Sequence, residues 1–338
     1  MKKGLKFFAI SVLLFVIPIS AVFAQRGSAN EQVTNIRFVS ALPRNSDWGR
    51  ALDRLAADWK RVTHNQVNVI MTHGSQSSEA ALISSLRSNS IQVAVLSSAG
   101  MYEICPAVMN ISVPFLINNN TELDLVLNDL KPVLESRVRD EFIVIAWSKA
   151  GWLYVFSKEP VVVPNDLRRL RLATSAELVD MNTVFRTLGF TMVETDWSSL
   201  GTRLASNMIT AFYYIPTAVT PMNLHRGLHM LDLPIAPIMG AIVMNRVTWN
   251  QLSPANQQEI IKVTQQVATQ FDNAMARSEV NAKTEMEKNG LVVNRPTPTQ
   301  QNIWLTDLQN AIPTLVGTIF DRDLYNRING ILQRARGR

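Results

Sequence analysis

The sequence predicts a two-lobed α/β protein with a hinge, joined by strand crossings and by one long helix that spans both lobes. Three observations lead there. Strand-like and helix-like segments alternate in two successive series, one ending near residue 148 and the next beginning near 151. Alternation of this kind implies β-α-β crossovers and layered sheets. The 35 residues between Pro254 and Gly290 contain neither Pro nor Gly, room for a helix of about 52 Å at 1.5 Å per residue. That exceeds the width of one small domain, while 338 residues are enough for two.

Residues 1–24 are set apart from the fold. Lys2, Lys3 and Lys6 precede an apolar run from Phe7 to Ile19, and "VFA" ends at Ala24. This is the pattern of an exported-protein signal with cleavage near Ala24. No Cys stands near it to carry a lipid, so the expected product is periplasmic and soluble.

A polar lead follows to Thr34, and then "IRFVSAL" (36–42) reads as a strand. Trp48, Leu52, Leu55, Trp59 and Val62 are spaced 4, 3, 4, 3 along one helical face. "VNVIMT" (67–72) is a strand, "EAALISSLR" (79–87) a helix, and "IQVAVLS" (91–97) a strand apolar enough for a buried parallel sheet. A helix over 121–139 leads into "FIVIAW" (142–147). In the second series "WLYVFS" (152–157), "LRLAT" (170–174), "FTMVET" (190–195) and "MITAFYY" (208–214) read as strands. Segments 177–188 and 198–205 read as helices, the first stopped by Gly189. Strands near 229–234 and 240–245 come next. Ser253 is then a good N-cap, Pro254 suits the first helical position, and Asn289-Gly290 ends the long helix. The lobes are expected to be discontinuous: 27–148 with 236–270, and 149–235 with 271–338.

Composition excludes several function classes. Of 33 Lys and Arg, three lie in the leader; set against 27 Asp and Glu, the remainder leaves a charge of about +3. That is too weak to imply nucleic acid, and no basic run is interleaved with aromatics. Cys105 is the only cysteine, so no intrachain disulfide forms. It stands between apolar residues in "EICPAV", which suits a buried thiol better than a nucleophile. There is no G-x-S-x-G, no phosphate loop and no G-x-G-x-x-G after a strand. His225 and His229 have the i, i+4 spacing of a helical metal pair, but no acidic residue lies between them and Gly227 weakens the helix. No metal, cofactor or catalytic residue is expected. The chain reads as a binding protein, with its ligand at the carboxyl ends of strands between the lobes.

Nearly the whole chain after the leader, about 35–331, resembles the substrate-binding subunit of tripartite ATP-independent periplasmic (TRAP) transporters. "HGSQSSEAALISSLRSNSIQVAVLS" is similar to the family's turn, helix and strand, and "ISVPFL" to its "x-x-P-F" segment. "VVVPNDLRRLRLAT" resembles "P-x-D-L-K-G-L-K-I-R". "LGFTMVETDWSSLGTRLASNMITAFYY" resembles "L-G-A … Y-x-A-L-Q-x-G-x-V-D-G-x-E-N", and "MNRVTWNQLSPANQQEI" opens the hinge-spanning helix. The resemblance implies the two-lobed periplasmic binding-protein fold and a small-molecule receptor that works with TRAP membrane permease subunits driven by an ion gradient.

The departures bear on the ligand. The signature arginine that grips the substrate carboxylate falls on Ala173, with Arg171 two residues earlier. A second arginine, found in sialic-acid binders, falls on Leu153, and the ligand-facing Asn falls on Tyr214. Trp197 replaces an aromatic that often contacts ligand, and polar first-lobe positions fall on Ala41, Ser97 and Gly100. A buried carboxylate without a charge partner costs several kcal/mol. The expected ligand is therefore apolar or amphipathic, enclosed by Leu153, Ala173, Trp197, Phe212, Tyr213, Tyr214, Ile238, Met239, Ser97 and Ala41. Neighbouring strand residues face opposite ways, so consecutive Phe212, Tyr213 and Tyr214 cannot all enter one core. Alternatively, Phe212 and Tyr213 belong to the core and Tyr214 alone meets the ligand. The missing arginine and the aromatic box resemble most the subgroup that works with a tetratricopeptide-repeat partner. Two other readings stay open: an organic-acid receptor using a relocated arginine such as Arg171, and a periplasmic scaffold without transport.

Overall fold

A computed structural model of the chain describes residues 33–337 except 76 and 177, and the backbone alone of residue 309. The expected signal segment and its cleavage point lie outside the described residues. Eleven strands are described: β1 (Thr34–Val39), β2 (Val67–Thr72), β3 (Val93–Leu96), β4 (Phe142–Trp152), β5 (Tyr154–Ser157), β6 (Arg171–Thr174), β7 (Thr191–Glu194), β8 (Ala211–Tyr214), β9 (His229–Leu231), β10 (Pro237–Asn245) and β11 (Val292–Asn294). They form two sheets, ordered β2-β1-β3-β10-β4 and β11-β9-β5-β8-β6-β7. In the first, β1 runs parallel to β2 and β3, while β10 is antiparallel to both β3 and β4. Because β10 lies between β3 and β4, the N-terminal strands do not complete their sheet without residues 237–245.

Two strand segments cross between the sheets side by side. β4 continues through Leu153 into β5, and the return path through Ile235 and Ala236 leads into β10. They are bonded where they pass: the Leu153 N–H donates to Ala236 O at 3.0 Å, and the Ile235 N–H to Leu153 O at 2.8 Å.

The third connection is the helix Pro254–Lys288. Ser253 caps it by accepting from the Asn256 N–H at 3.2 Å, and Gly290 beyond its end takes φ +96°, a conformation that suits glycine. At its first-lobe end the Trp59 Nε1–H donates to Thr264 Oγ1 at 2.8 Å. Further along, β4 is an edge strand, and its outward N–H groups need partners outside the ladder. The helix supplies them. Asp272 Oδ1 accepts from the Lys149 N–H at 2.8 Å and from Ser148 Oγ at 2.9 Å. Glu279 accepts from the Trp152 N–H at 3.0 Å and from the Tyr154 hydroxyl at 3.2 Å. Gly151, at φ +122°, makes the close approach possible, since a Cβ there would lie 3.2 Å from Glu279 Oε2. Lys283 Nζ lies 3.8 Å from the Tyr154 ring centre and 3.3 Å from Asp232 Oδ1, which carries the tie into the second sheet.

One element departs from the expected division. The helix Arg322–Ala335 was placed with the second lobe as part of 271–338, yet it lies on the first-lobe helix Asn120–Val138. Arg327 pairs with Asp129, Arg336 with Glu122 at 2.6 Å, and Arg137 with Asp321 at 2.7 Å. Leu324, Ile328 and Leu332, spaced at four, are buried in the same cluster as Leu123, Leu127 and Leu130 of the helix Asn120–Val138. The chain therefore returns to the first lobe after the long helix, a return that strand periodicity does not signal. The histidine pair also differs from a helical arrangement: His225 lies in a turn and His229 in β9, so they do not share a helix face.

Burial raises the carboxyl pKa of both Asp272 and Glu279, against the lowering effect of their hydrogen bonds and of nearby lysines. A carboxyl whose folded pKa lies above its unfolded value binds protons more readily when folded, so its contribution to stability improves as pH falls. We expect the parent protein to gain stability relative to Glu279→Gln as pH is lowered from 7 toward the ordinary carboxylate range, measured by urea unfolding. A stability difference that stays flat or shrinks over that range would contradict the buried-carboxylate hinge.

Candidate functional site

The aromatic strand β8 ends at the inter-lobe cleft, and its alternation sorts three neighbouring rings. Phe212 is fully buried and stacks on Phe156 from the neighbouring strand, with ring centres 5.1 Å apart. Ala173 is its register partner on β6 and is also buried, so these two expected ligand residues belong to the core of the second lobe. Tyr213, on the opposite face, packs at 5.0 Å on Phe185, and its hydroxyl lies 3.2 Å from Thr174 Oγ1. Tyr214 is the last strand residue and is only partly buried, with its ring 4.5 Å from that of Trp197. The end of the strand brings Tyr213 and Tyr214 to one cavity despite their opposite faces.

That cavity measures about 260 Å3 and draws on both lobes. Leu153 and Ile238 reach it from the crossing strands, Tyr213, Tyr214 and Trp197 from the second lobe, and Ser97 from the first. Sequence reasoning had not singled out Glu79, Ser98, Tyr102, Leu178 or Met181, which also line it. Their signal was weak because each is an ordinary residue of a helix or its approach. Tyr102 donates to Ser112 Oγ at 2.6 Å, and Ser98 Oγ donates to Met239 O at 2.7 Å.

Glu79 opens the helix that runs to Arg87 and accepts the Ser97 N–H at 3.2 Å. A Cβ at position 100 would run into its Oε2, so Gly100 leaves the space that the carboxylate occupies. Among the described residues no Lys or Arg lines this cavity, and Glu79 is its one charged side chain. Arg171 lies at the exposed start of β6, where its guanidinium donates to Met208 O at 3.2 Å and to Asn207 O. It does not line the cavity. Burial raises the phenol pKa of Tyr213 to about 12 and that of Tyr214 in the same direction, so both remain neutral hydroxyls at neutral pH. Among the described residues, neither the Tyr214 hydroxyl nor the Trp197 indole N–H has a hydrogen-bond partner.

Met239 and Ala41 do not line this cavity. They line a second one of about 150 Å3 within the first lobe, which adjoins the cleft at Glu79, Ser97 and Ile238. Its outer wall is Trp48 against Phe271, from helices far apart in sequence, with ring centres 3.3 Å apart. Its floor is small: Ala146 and Ala150 on one face of β4, Gly240 on β10, Ala51 and Ala268 on the flanking helices. Of the polar side chains there, Ser148 donates to Asp272, Ser97 accepts the Ala99 N–H at 3.2 Å, and Glu79 accepts the Ser97 N–H.

Solved structures with the same two-lobed α/β fold cover nearly all of the described chain. A TRAP periplasmic solute binding protein from Ralstonia eutropha H16, with bound (S)-2-acetolactate, aligns over 89% of this chain and 99% of its own, at 17% identity and a TM-score of 0.78. One from Ochrobactrum anthropi, whose C-terminus is bound in its ligand-binding pocket, aligns over 91% and 97% at 18% identity and 0.80. The sugar acid binding protein DctPAm from Advenella mimigardefordensis, in complex with galactonate, aligns over 90% and 99% at 16% identity and 0.77. No match is found among functionally curated sequences. No described helix is long and apolar enough to cross a membrane. The profile of bacterial extracellular solute-binding protein family 7, DctP, matches residues 38–316, so the chain belongs to this family of extracellular solute-binding proteins.

Proposed function

We propose that this receptor captures a neutral apolar or amphipathic small molecule between its lobes and delivers it to TRAP membrane permease subunits. One observation carries the reading: the cleft presents Tyr213, Tyr214, Trp197, Leu153 and Ile238, while its one charged side chain among the described residues is the acidic Glu79. A carboxylate ligand would meet no cation among the described residues of this cleft, and burying it unpaired costs several kcal/mol. An apolar ligand gains about 25 cal/mol per Å2 buried. The unpartnered Tyr214 hydroxyl and Trp197 N–H are suited to a carbonyl or hydroxyl oxygen of the ligand. The acids bound by the Ralstonia and Advenella proteins belong to chains less than a fifth identical to this one. Arg171, the relocated arginine of an organic-acid reading, is occupied by backbone carbonyls away from the cleft.

The division into hinged lobes supports capture by closure, with the ligand favouring the closed state by its extra contacts there. The export leader, cleaved near Ala24, would place the receptor free in the periplasm. The aromatic cleft is also the ground for proposing a tetratricopeptide-repeat partner.

Mass spectrometry of small molecules released from the purified protein is expected to yield a lipid-like or neutral amphipathic species; an organic acid would overturn the reading. Tyr214→Ala should weaken binding of that species by about 2 kcal/mol or more, roughly thirtyfold. Phe212→Ala provides the contrast, since truncating a fully buried Phe costs about 3–5 kcal/mol of stability. Thermal melts should therefore fall much further for Phe212→Ala than for Tyr214→Ala. Equal stability losses in the two variants would place Tyr214 in the core.

A further inference from the structure

The first-lobe cavity lies at the end of β3, apart from the aromatic wall of Tyr213, Tyr214 and Trp197, and nothing in the cleft's chemistry requires it. We propose that it is a tail compartment: a blind apolar subsite that takes a hydrocarbon group of about six carbons, while the polar end of the same molecule stays at Tyr214 and Trp197. This deepens the amphipathic-ligand reading and rests on it.

Its volume is about 150 Å3, the size of a dry engineered cavity that binds benzene. Water has little to hold it there. Ser148 and Ser97 are already bonded within the protein, and so is Glu79, which accepts the Ser97 N–H where the compartment meets the cleft. The space results from side chains that are small where the sheet and two helices approach. Ala146 and Ala150 share a face of β4, and Ala51 and Ala268 stand opposite on the helices Asp47–Val62 and Pro254–Lys288. Trp48 and Phe271 close the far side. The way in lies between Ser97 and Ile238, both of which also line the cleft. A carboxylate on Glu79 at that passage favours an uncharged chain over an acidic group. The cleft therefore reads the polar end of the ligand, and the compartment reads its length.

The probe is a series of 1-alkanols from propanol to decanol, with affinity for the full mature chain measured by ligand-observed NMR. In the parent protein affinity should rise about fourfold per methylene until the compartment is full, and then level off. Ala146→Leu and Ala268→Leu fill the compartment from two different elements. Each should raise the melting temperature of the free protein and make the series level at least two methylenes earlier, about 16-fold weaker at the plateau. Both variants reproducing the parent curve, or a parent series flat in chain length, would overturn the compartment. Tyr214→Ala separates the two readings. If it lowers the whole series without changing the slope, cleft and compartment act on one molecule as proposed. If it leaves the series unmoved while the leucine variants shorten it, the compartment stands and the cleft reading fails.

Discussion

Where β4 leaves the first sheet for the second, its outer backbone groups have no neighbouring strand, and two carboxylates on the long helix take them up. Asp272 receives the Lys149 N–H, and Glu279 receives the Trp152 N–H. Both carboxyls are shifted upward by burial, so these bonds form in surroundings where an unpaired backbone donor would be costly. The placement of the other parts follows. The crossing strands meet at Leu153 and Ala236, Gly151 admits the helix closely, and Leu153 and Ile238 are delivered to the cleft floor. A tie through directional bonds at two points on one strand, rather than through broad packing, is compatible with rotation of the lobes about it.

The chemistry of the cleft is set by the direction of β8 and by what its neighbours lack. Alternation sends Phe212 into the core and Tyr213 to the other face, and the strand ends before Tyr214 is covered. The register of β6 against β8 places Ala173 beside Phe212, which puts this position inside the second lobe and away from the cavity. In the first lobe, Gly100 gives its space to Glu79. The outcome is a cleft of aromatic and hydroxyl groups whose one charge among the described residues is negative.

Much of the architecture was legible in the sequence because it is local. The strand at 67–72 and the helix at 79–87 are found at the residues where alternation and capping placed them, and the long helix runs from Pro254 to Lys288 between its Ser253 and Gly290 signals. Elsewhere the agreement is looser. The strand read at 208–214 begins only at Ala211: Ile209 donates its N–H back to Arg203 O of the preceding helix, and Thr210 meets the flanking strands only at their ends, through Arg171 O and the Lys158 N–H. The helix Arg322–Ala335 carries a clear apolar stripe, but a stripe does not say which lobe it covers.

The sequence by itself determined the two-lobed α/β layout, the hinge-spanning helix, and the absence of the expected arginines from positions 153 and 173. Each is a property of residue identity, capping or periodicity within a short window. Tertiary structure decided which residues face a common space. It moved Ala173 and Phe212 into the core, turned Arg171 to the carbonyls of Asn207 and Met208, and set Trp48 against Phe271 to wall off the first-lobe cavity. Those outcomes depend on strand register and on contacts between segments distant in the chain, and no local pattern encodes a volume that is defined by the side chains missing from it.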